Sequence, residues 1–522
     1  MPSGVTIDES VMGENTFWQI FKRLVLVFLT ILTAVNIAAS LIQSLNQPQV
    51  QSRLELYQTN LILQAAEFQG DGNTDVAKIR TALLGENLYQ TAQKQYKQAL
   101  QTAQTHQKTL QARSREFVNS PKNEASREQE QQWRRELQET TRFVDEIELK
   151  IGILQAQQGK TEKALETWDN LIESPQESAV APMTALVRSL WSASSLVPAN
   201  AEETLMQNLK GWFRDRALHQ LYQVQQNDRS LFTLQAREQT IARQAVLKLA
   251  IVSIIPTIGG FLGVGLLLFL LIQLAIQKEK SLLATHHNLT WDTPWDLEVI
   301  WQVFIVGFFF IGQFILPTFF GFLGLEPTGF SLRQKALFVL SSYLLMAIGG
   351  FLVLYFSLKP FFPLPKDWFR FKWLDKWALW GFGGYLIAIP LVVIVSLVNQ
   401  QFWQGQGGSN PILFLALQAQ DTVALAIFFF TASIAAPVFE EVIFRGFLLP
   451  SLTRYMPLWG AIGVSSLVFA IAHLSFSEVL PLATLGIILG IVYARSRNLL
   501  ASILLHSLWN SGTLLSLFIL GS

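Results

Sequence analysis

The chain has 522 residues, half of them apolar and only 15% charged, with a mean hydropathy of +0.32. It therefore falls outside the range of soluble globular domains and within that of integral membrane proteins. The formal charge of +1 excludes the bulk basic character of a nucleic-acid binder, and no nucleic-acid partner is expected. The absence of cysteine removes disulfides, thiolate metal sites and cysteine nucleophiles.

Residues 24–42 form an apolar run long enough to span a bilayer, preceded by Lys22 and Arg23 and lacking a small-residue cleavage site. It reads as an uncleaved signal anchor, so residues 1–44 form an N-terminal membrane anchor. From residue 45 to residue 244 the composition shifts to Gln, Glu, Lys and Ala with Leu at helical spacing, which predicts an inserted soluble all-helical domain. Within it, Gly159, Ala164, Leu165, Trp168 and Pro175 resemble the second half of one tetratricopeptide repeat. A plain helical bundle or hairpin accounts for the same residues.

Apolar blocks follow at 247–276, 299–323, 337–358, 377–398, 424–449, 458–476, 479–494 and 499–520. With the anchor they predict about nine spans, and lipid leaves the helix as the conformation that satisfies their backbones. The expected fold class is thus all-α, a polytopic membrane helical bundle. Residues 245–400 are accessory transmembrane helices and 401–522 the catalytic core. Basic residues concentrate in alternate loops, at Lys278 and Lys280, at Lys359 to Lys376, at Arg454, and at Arg495 and Arg497. That bias predicts a multi-pass protein with a cytoplasmic N-terminus and an extracytoplasmic helical domain. The stretch 359–376 interleaves these cations with Phe361, Phe362, Trp368, Phe369, Phe371 and Trp373, as an interfacial amphipathic segment or a substrate gate would.

Within the apolar blocks, ionisable residues away from helix ends are few and late: Glu440, Glu441, Arg445, His473 and His506. Each central charge costs roughly 3 kcal/mol to insert, so two glutamates and an arginine in one helix oppose insertion by about 9 kcal/mol unless paired. Glu441 and Arg445, four apart, share a helical face and suit an ion pair, whereas Glu440 points about 100° away. Pro437, one turn earlier, removes a backbone donor and should kink the helix, opening the backbone near Ser433. Phe469 and His473 are four apart, as are His506 and Asn510. Counting about 1.5 Å per residue from the loops brings Glu440, His473, His506 and Asn510 to similar depths.

These three patterns, Glu-Glu-x-x-x-Arg, Phe-x-x-x-His and His-x-x-x-Asn, in this order in hydrophobic helices, resemble the CPBP family of CAAX prenyl endopeptidases and bacteriocin-processing or Abi-type proteases. The resemblance covers about the last 120 residues. It implies an intramembrane endopeptidase in which Glu440 activates water with help from His473. His506 and Asn510 would position the water or stabilise the oxyanion, and Glu441, Arg445 and Phe469 would give structural support. It implies no metal and no cofactor, and as partners the lipid membrane and a membrane protein or peptide substrate.

Three alternatives stand beside it. Glu440 with two histidines supplies an open three-ligand set for a zinc protease, although the His-Glu-x-x-His pattern is missing. A non-catalytic scaffold or immunity protein would use the helical domain to bind a protein partner. A transporter would use the same groups as a proton relay, though no repeat relates the two halves of the membrane region.

Overall fold

The computed structural model describes residues 9–521, apart from 46, 48, 70–86, 119–123, 174–177, 193–196, 285–289, 326, 404, 411, 414 and 416–420. Pro175, His286 and His287 lie outside the described residues. Every described element is a helix. The chain divides into two compact units, one of residues 1–44, 260–399 and 410–515, the other of residues 45–259, 400–409 and 516–522.

Helix α1 (Glu9–Ser44) belongs to the first unit. The second unit comprises α2 (Val50–Ala66), α3 (Leu88–Val118), α4 (Glu124–Gln157), α5 (Thr161–Ile172), α6 (Ala181–Trp191), α7 (Ala201–Asn208), α8 (Gly211–Val224) and the start of α9 (Asp228–Gln277). Gly159, at φ +75°, makes the turn from α4 to α5, and Ala164 and Trp168 of α5 are fully buried. The crossing is close because Gly152 lacks a side chain: a Cβ there would sit 2.2 Å from the Trp168 indole nitrogen. That nitrogen donates to the Leu149 carbonyl at 3.2 Å. The helices that follow are 11, 8 and 14 residues long, too uneven for a regular array of equal repeats. Helix α9 runs unbroken through the expected domain boundary at residue 244, so no linker separates polar from apolar sequence there.

In the membrane unit α9 is followed by α10 (Leu297–Phe322), α11 (Leu332–Leu358), α12 (Trp377–Trp403), α13 (Thr422–Leu452), α14 (Leu458–Ile471), α15 (Val479–Ser496) and α16 (Leu499–Gly521). Among the described residues eight helices are long and apolar enough to cross a membrane, one fewer than expected. The exception is α14, which stops after 14 residues, about 21 Å. The chain turns at Ala472 and His473, and Leu474 takes φ +56°. The expected ninth span is therefore a short helix completed by non-helical backbone, a conformation tolerated in lipid only where protein buries it or a polar cavity adjoins it. His473 stands in that turn, two residues past the helix, and not within a helix as the spacing predicts.

Both ends of the unit are built from loops. At one end Trp291 donates from its backbone to Thr453, Trp368 to the Asp292 carbonyl, Arg454 to Thr293, and Arg497 pairs with Asp367. At the other, the backbone N–H of Phe476 donates to Ser44, and Asn399 to the Ser477 carbonyl. All the loops expected to be basic thus gather at one end. The 359–376 segment is anchored there by buried Trp368 against Trp295, ring centroids 4.3 Å apart, while Phe371, Trp373 and Leu374 remain exposed.

Three wide, π-helical stretches interrupt these helices: Val303–Ile315, Thr431–Ala435 and Val442–Leu448. Each ends two residues before a proline, Pro317, Pro437 or Pro450. A proline ring collides with the carbonyl four residues back, and widening the preceding turn relieves the collision without breaking the helix. The kink expected at Pro437 thus takes the form of a π-bulge.

Candidate active site

Helix α13 carries Glu440 and Glu441 on the six-residue α-helical segment between its two π-helical stretches. The two carboxylates have opposite surroundings. Glu441 is completely buried; Arg445 donates to its Oε1 at 2.7 Å and His506 Nδ1 lies 2.9 Å from the same oxygen. Arg445 also donates to the Gly486 carbonyl of α15 at 3.2 Å, and its guanidinium lies 4.5 Å from the Phe469 ring centroid. The expected i, i+4 ion pair is present, and it is tied to α14, α15 and α16. These contacts offset part of the cost of burying the pair, while Glu441 Oε2 has no hydrogen-bond partner among the described residues.

Glu440 is half-buried and lines a cavity of about 340 Å³. Its Oε1 accepts from the Tyr343 hydroxyl at 3.0 Å, and its Oε2 accepts no hydrogen bond among the described residues. His506 Nε2 is the nearest cation-capable group, 3.9 Å from Oε2. His506 therefore bridges the two glutamates: Nδ1 serves Glu441 and Nε2 faces Glu440. It is itself buried, 2% exposed.

His473 lines the same cavity. Its Nδ1 lies 2.9 Å from the Phe469 carbonyl, and because a carbonyl only accepts, Nδ1 carries the proton. In the neutral ring Nε2 is then the free lone pair, the tautomer a proton acceptor needs. Phe469 does more than seat this ring. Its centroid is 4.9 Å from His473 and 5.6 Å from His506, and its face carries Arg445.

Asn510 also lines the cavity, but its Nδ2 donates to the Ala432 carbonyl at 2.7 Å. In the π register the Ala436 N–H bonds Thr431, so the carbonyl of Ala432 would take its bond from residue 437, which is a proline. Asn510 supplies the missing donor. The backbone thus opens at Ala432, one residue before the expected Ser433.

Two wall residues escape sequence reasoning. Tyr343 comes from α11 and Gln313 from the π-helical part of α10, and the Gln313 carboxamide oxygen has no partner among the described residues. Neither stands out in the sequence: Tyr343 follows Ser341 and Ser342, and Gln313 shares its helix with Gln302. Gly350 lets α11 approach: a Cβ there would lie 2.8 Å from the Phe439 ring, next to Glu440. No three His, Cys, Asp or Glu side chains converge to hold an ion among the described residues.

Comparison with known proteins meets this geometry. Residues 422–512 match the family described as "Type II CAAX prenyl endopeptidase Rce1-like". The chain is 32% identical over 145 residues to "Membrane-embedded CAAX protease MroQ" of Staphylococcus aureus (strain USA300), covering 27% of this chain and 56% of that protein. It is 25% identical over 196 residues to "Putative membrane peptidase YdiL" of Bacillus subtilis (strain 168), covering 37% of this chain and 76% of that one. The first of these relatives is thus matched over little more than half its length. No solved structure matches the chain significantly. The matched region contains all three motifs and is similar to CAAX proteases of membranes.

Proposed function

We propose that the chain is an intramembrane endopeptidase in which Glu440 is the general base. The observation that carries this reading is the contrast between neighbouring carboxylates: Glu441 is completely buried away from the cavity and tied through Oε1 to Arg445 and His506, while Glu440 lines the cavity that His473 also lines. A water in that cavity would give a proton to Glu440 as its oxygen adds to the scissile carbonyl carbon. The C–N bond then breaks, and the proton passes from Glu440 to the departing amine. His473, with Nδ1 anchored, offers Nε2 to orient the water, and His506 Nε2 stands where it senses the charge on Glu440. With Asn510 Nδ2 engaged by Ala432, its role is to hold the opened backbone beside the site. Substrates are peptides or membrane proteins able to reach the cavity, and the clustered basic loops support placing the cytoplasm at their end.

The test compares new protein N-termini in cells carrying the wild type, Glu440→Gln or His473→Ala, with expression matched. Fragments made by the wild type and missing in both variants support the reading; wild-type cleavage by Glu440→Gln ends it. The separately packed helical unit favours one other outcome, a binding scaffold. That reading wins if the biological effect survives Glu440→Gln and disappears when residues 45–244 are deleted.

A further inference from the structure

A second cavity, of about 960 Å³, lies among α9, α12 and α15 and shares no lining residue with the Glu440 cavity. Its shape follows from one glycine. At Gly263 of α9 a Cβ would stand 1.9 Å from the Leu386 carbonyl of α12, so the two helices touch there. From that point toward Lys278 and Lys376 they leave a wedge lined by Leu270, Leu274, Leu379 and Trp380, with Ile488 of α15. The wide end is different in kind. Lys278 closes α9, Lys376 opens α12 and Arg495 closes α15, so chain direction alone puts three cations at the same end, against one acid, Glu279. Arg495 is buried, with its guanidinium 5.6 Å from the Trp459 ring centroid.

We propose that this wedge binds one anionic phospholipid, its phosphate among Lys278, Lys376 and Arg495 and its acyl chains in the apolar shaft. A peptide would bury backbone groups against walls that give them no partners. A zwitterionic lipid would leave the net positive mouth uncompensated, and a free phosphate would leave the shaft empty. Leu271 and Leu379, exposed beside the wedge, give an acyl chain a side entrance from the bilayer. The site is independent of the catalytic reading.

The experiment is lipid titration of the purified full-length protein, read by native mass spectrometry, with dioleoyl phosphatidylglycerol and dioleoyl phosphatidylcholine as probes. Each cation near an anionic headgroup is worth about five-fold in affinity, so phosphatidylglycerol should bind at least about ten-fold tighter. The double variant Lys278→Gln/Lys376→Gln should lose about 25-fold toward phosphatidylglycerol while unfolding at the wild-type temperature. Gly383→Phe, on a shaft wall where the nearest atom to a Cβ is 3.5 Å away, should weaken both lipids with the cations intact. Equal binding of the two lipids, unchanged preference in the double variant, or displacement of phosphatidylglycerol by millimolar inorganic phosphate would each overturn the proposal.

Discussion

The Tyr343 hydroxyl donates to Glu440 at 3.0 Å from a helix outside the matched region 422–512. A donor on one oxygen fixes the carboxylate's rotation at the wall of the cavity. A hydrogen bond to a charged group is worth about 1.5–3 kcal/mol, so Tyr343→Phe should slow cleavage roughly 10- to 100-fold with little change in unfolding temperature. A reporter-substrate assay in membranes measures this, and an unchanged rate would remove Tyr343 from the site.

The neighbouring glutamate should behave in the opposite way. Glu441→Gln leaves the Arg445 guanidinium buried without its counter-charge, a loss of about 3–5 kcal/mol. Detergent-solubilised Glu441→Gln should unfold well below the wild type, whereas Glu440→Gln should unfold near it. Equal unfolding temperatures for the two variants would contradict the division of labour between them.

Asn510 and Pro437 form a coupled pair through the Ala432 carbonyl. Asn510→Ala leaves that part-buried acceptor bare, which costs about 1 kcal/mol. Pro437→Ala restores a backbone N–H in the same region, so Asn510→Ala should cost less in that background. A double-mutant cycle on unfolding free energy checks it, and strict additivity would argue against the coupling.

In the helical unit the crossing of α4 and α5 depends on Gly152. Gly152→Ala drives a methyl into the Trp168 indole and should destabilise the unit by about 1–3 kcal/mol through overpacking. Tryptophan fluorescence during denaturant unfolding of the full chain reports it. A neutral effect would mean that the two helices part without loss.

Stability of the same unit should also depend on Asp145. Burial raises its carboxyl above the ordinary value of 3.8, outweighing the hydroxyl donated by Ser178 at 2.6 Å. The native state therefore favours the protonated form. This contribution is complete below pH 3.8 and is lost as pH rises through the higher native value. Asp145→Asn removes the titration, so the variant's unfolding temperature should gain on the wild type between pH 4 and 7. A constant difference across that range would refute the linkage.

The charged motif residues were legible because lipid makes every intramembrane charge conspicuous: Glu440, Glu441, Arg445 and His506 stand out against apolar neighbours. The pairing of Glu441 with Arg445 followed from four-residue spacing alone. Tyr343 and Gln313 were not legible as site residues, since a tyrosine or glutamine in a span is equally at home between packed helices. The end of α14 was hidden because residues 458–476 read as one apolar run, although the polar cluster His473, Ser475, Ser477 and Glu478 marks where it breaks. The three prolines announced disturbed helices but not that a side chain, Asn510, would take over a carbonyl that one of them frees. In α9 helical periodicity passes without a breaker from polar to apolar sequence, which is why composition placed a boundary where the backbone has none.

The floor of the Glu440 cavity comes from the late helices, but Phe308, Phe309, Gln313, Tyr343 and Met346 close its other side. A protein trimmed to the shared C-terminal segment would keep all the acids and imidazoles and open them to bulk lipid. Transplanting that segment into another scaffold would therefore move the reagents without the vessel, and the upstream helices, which no motif marks, are what a functional graft has to bring along.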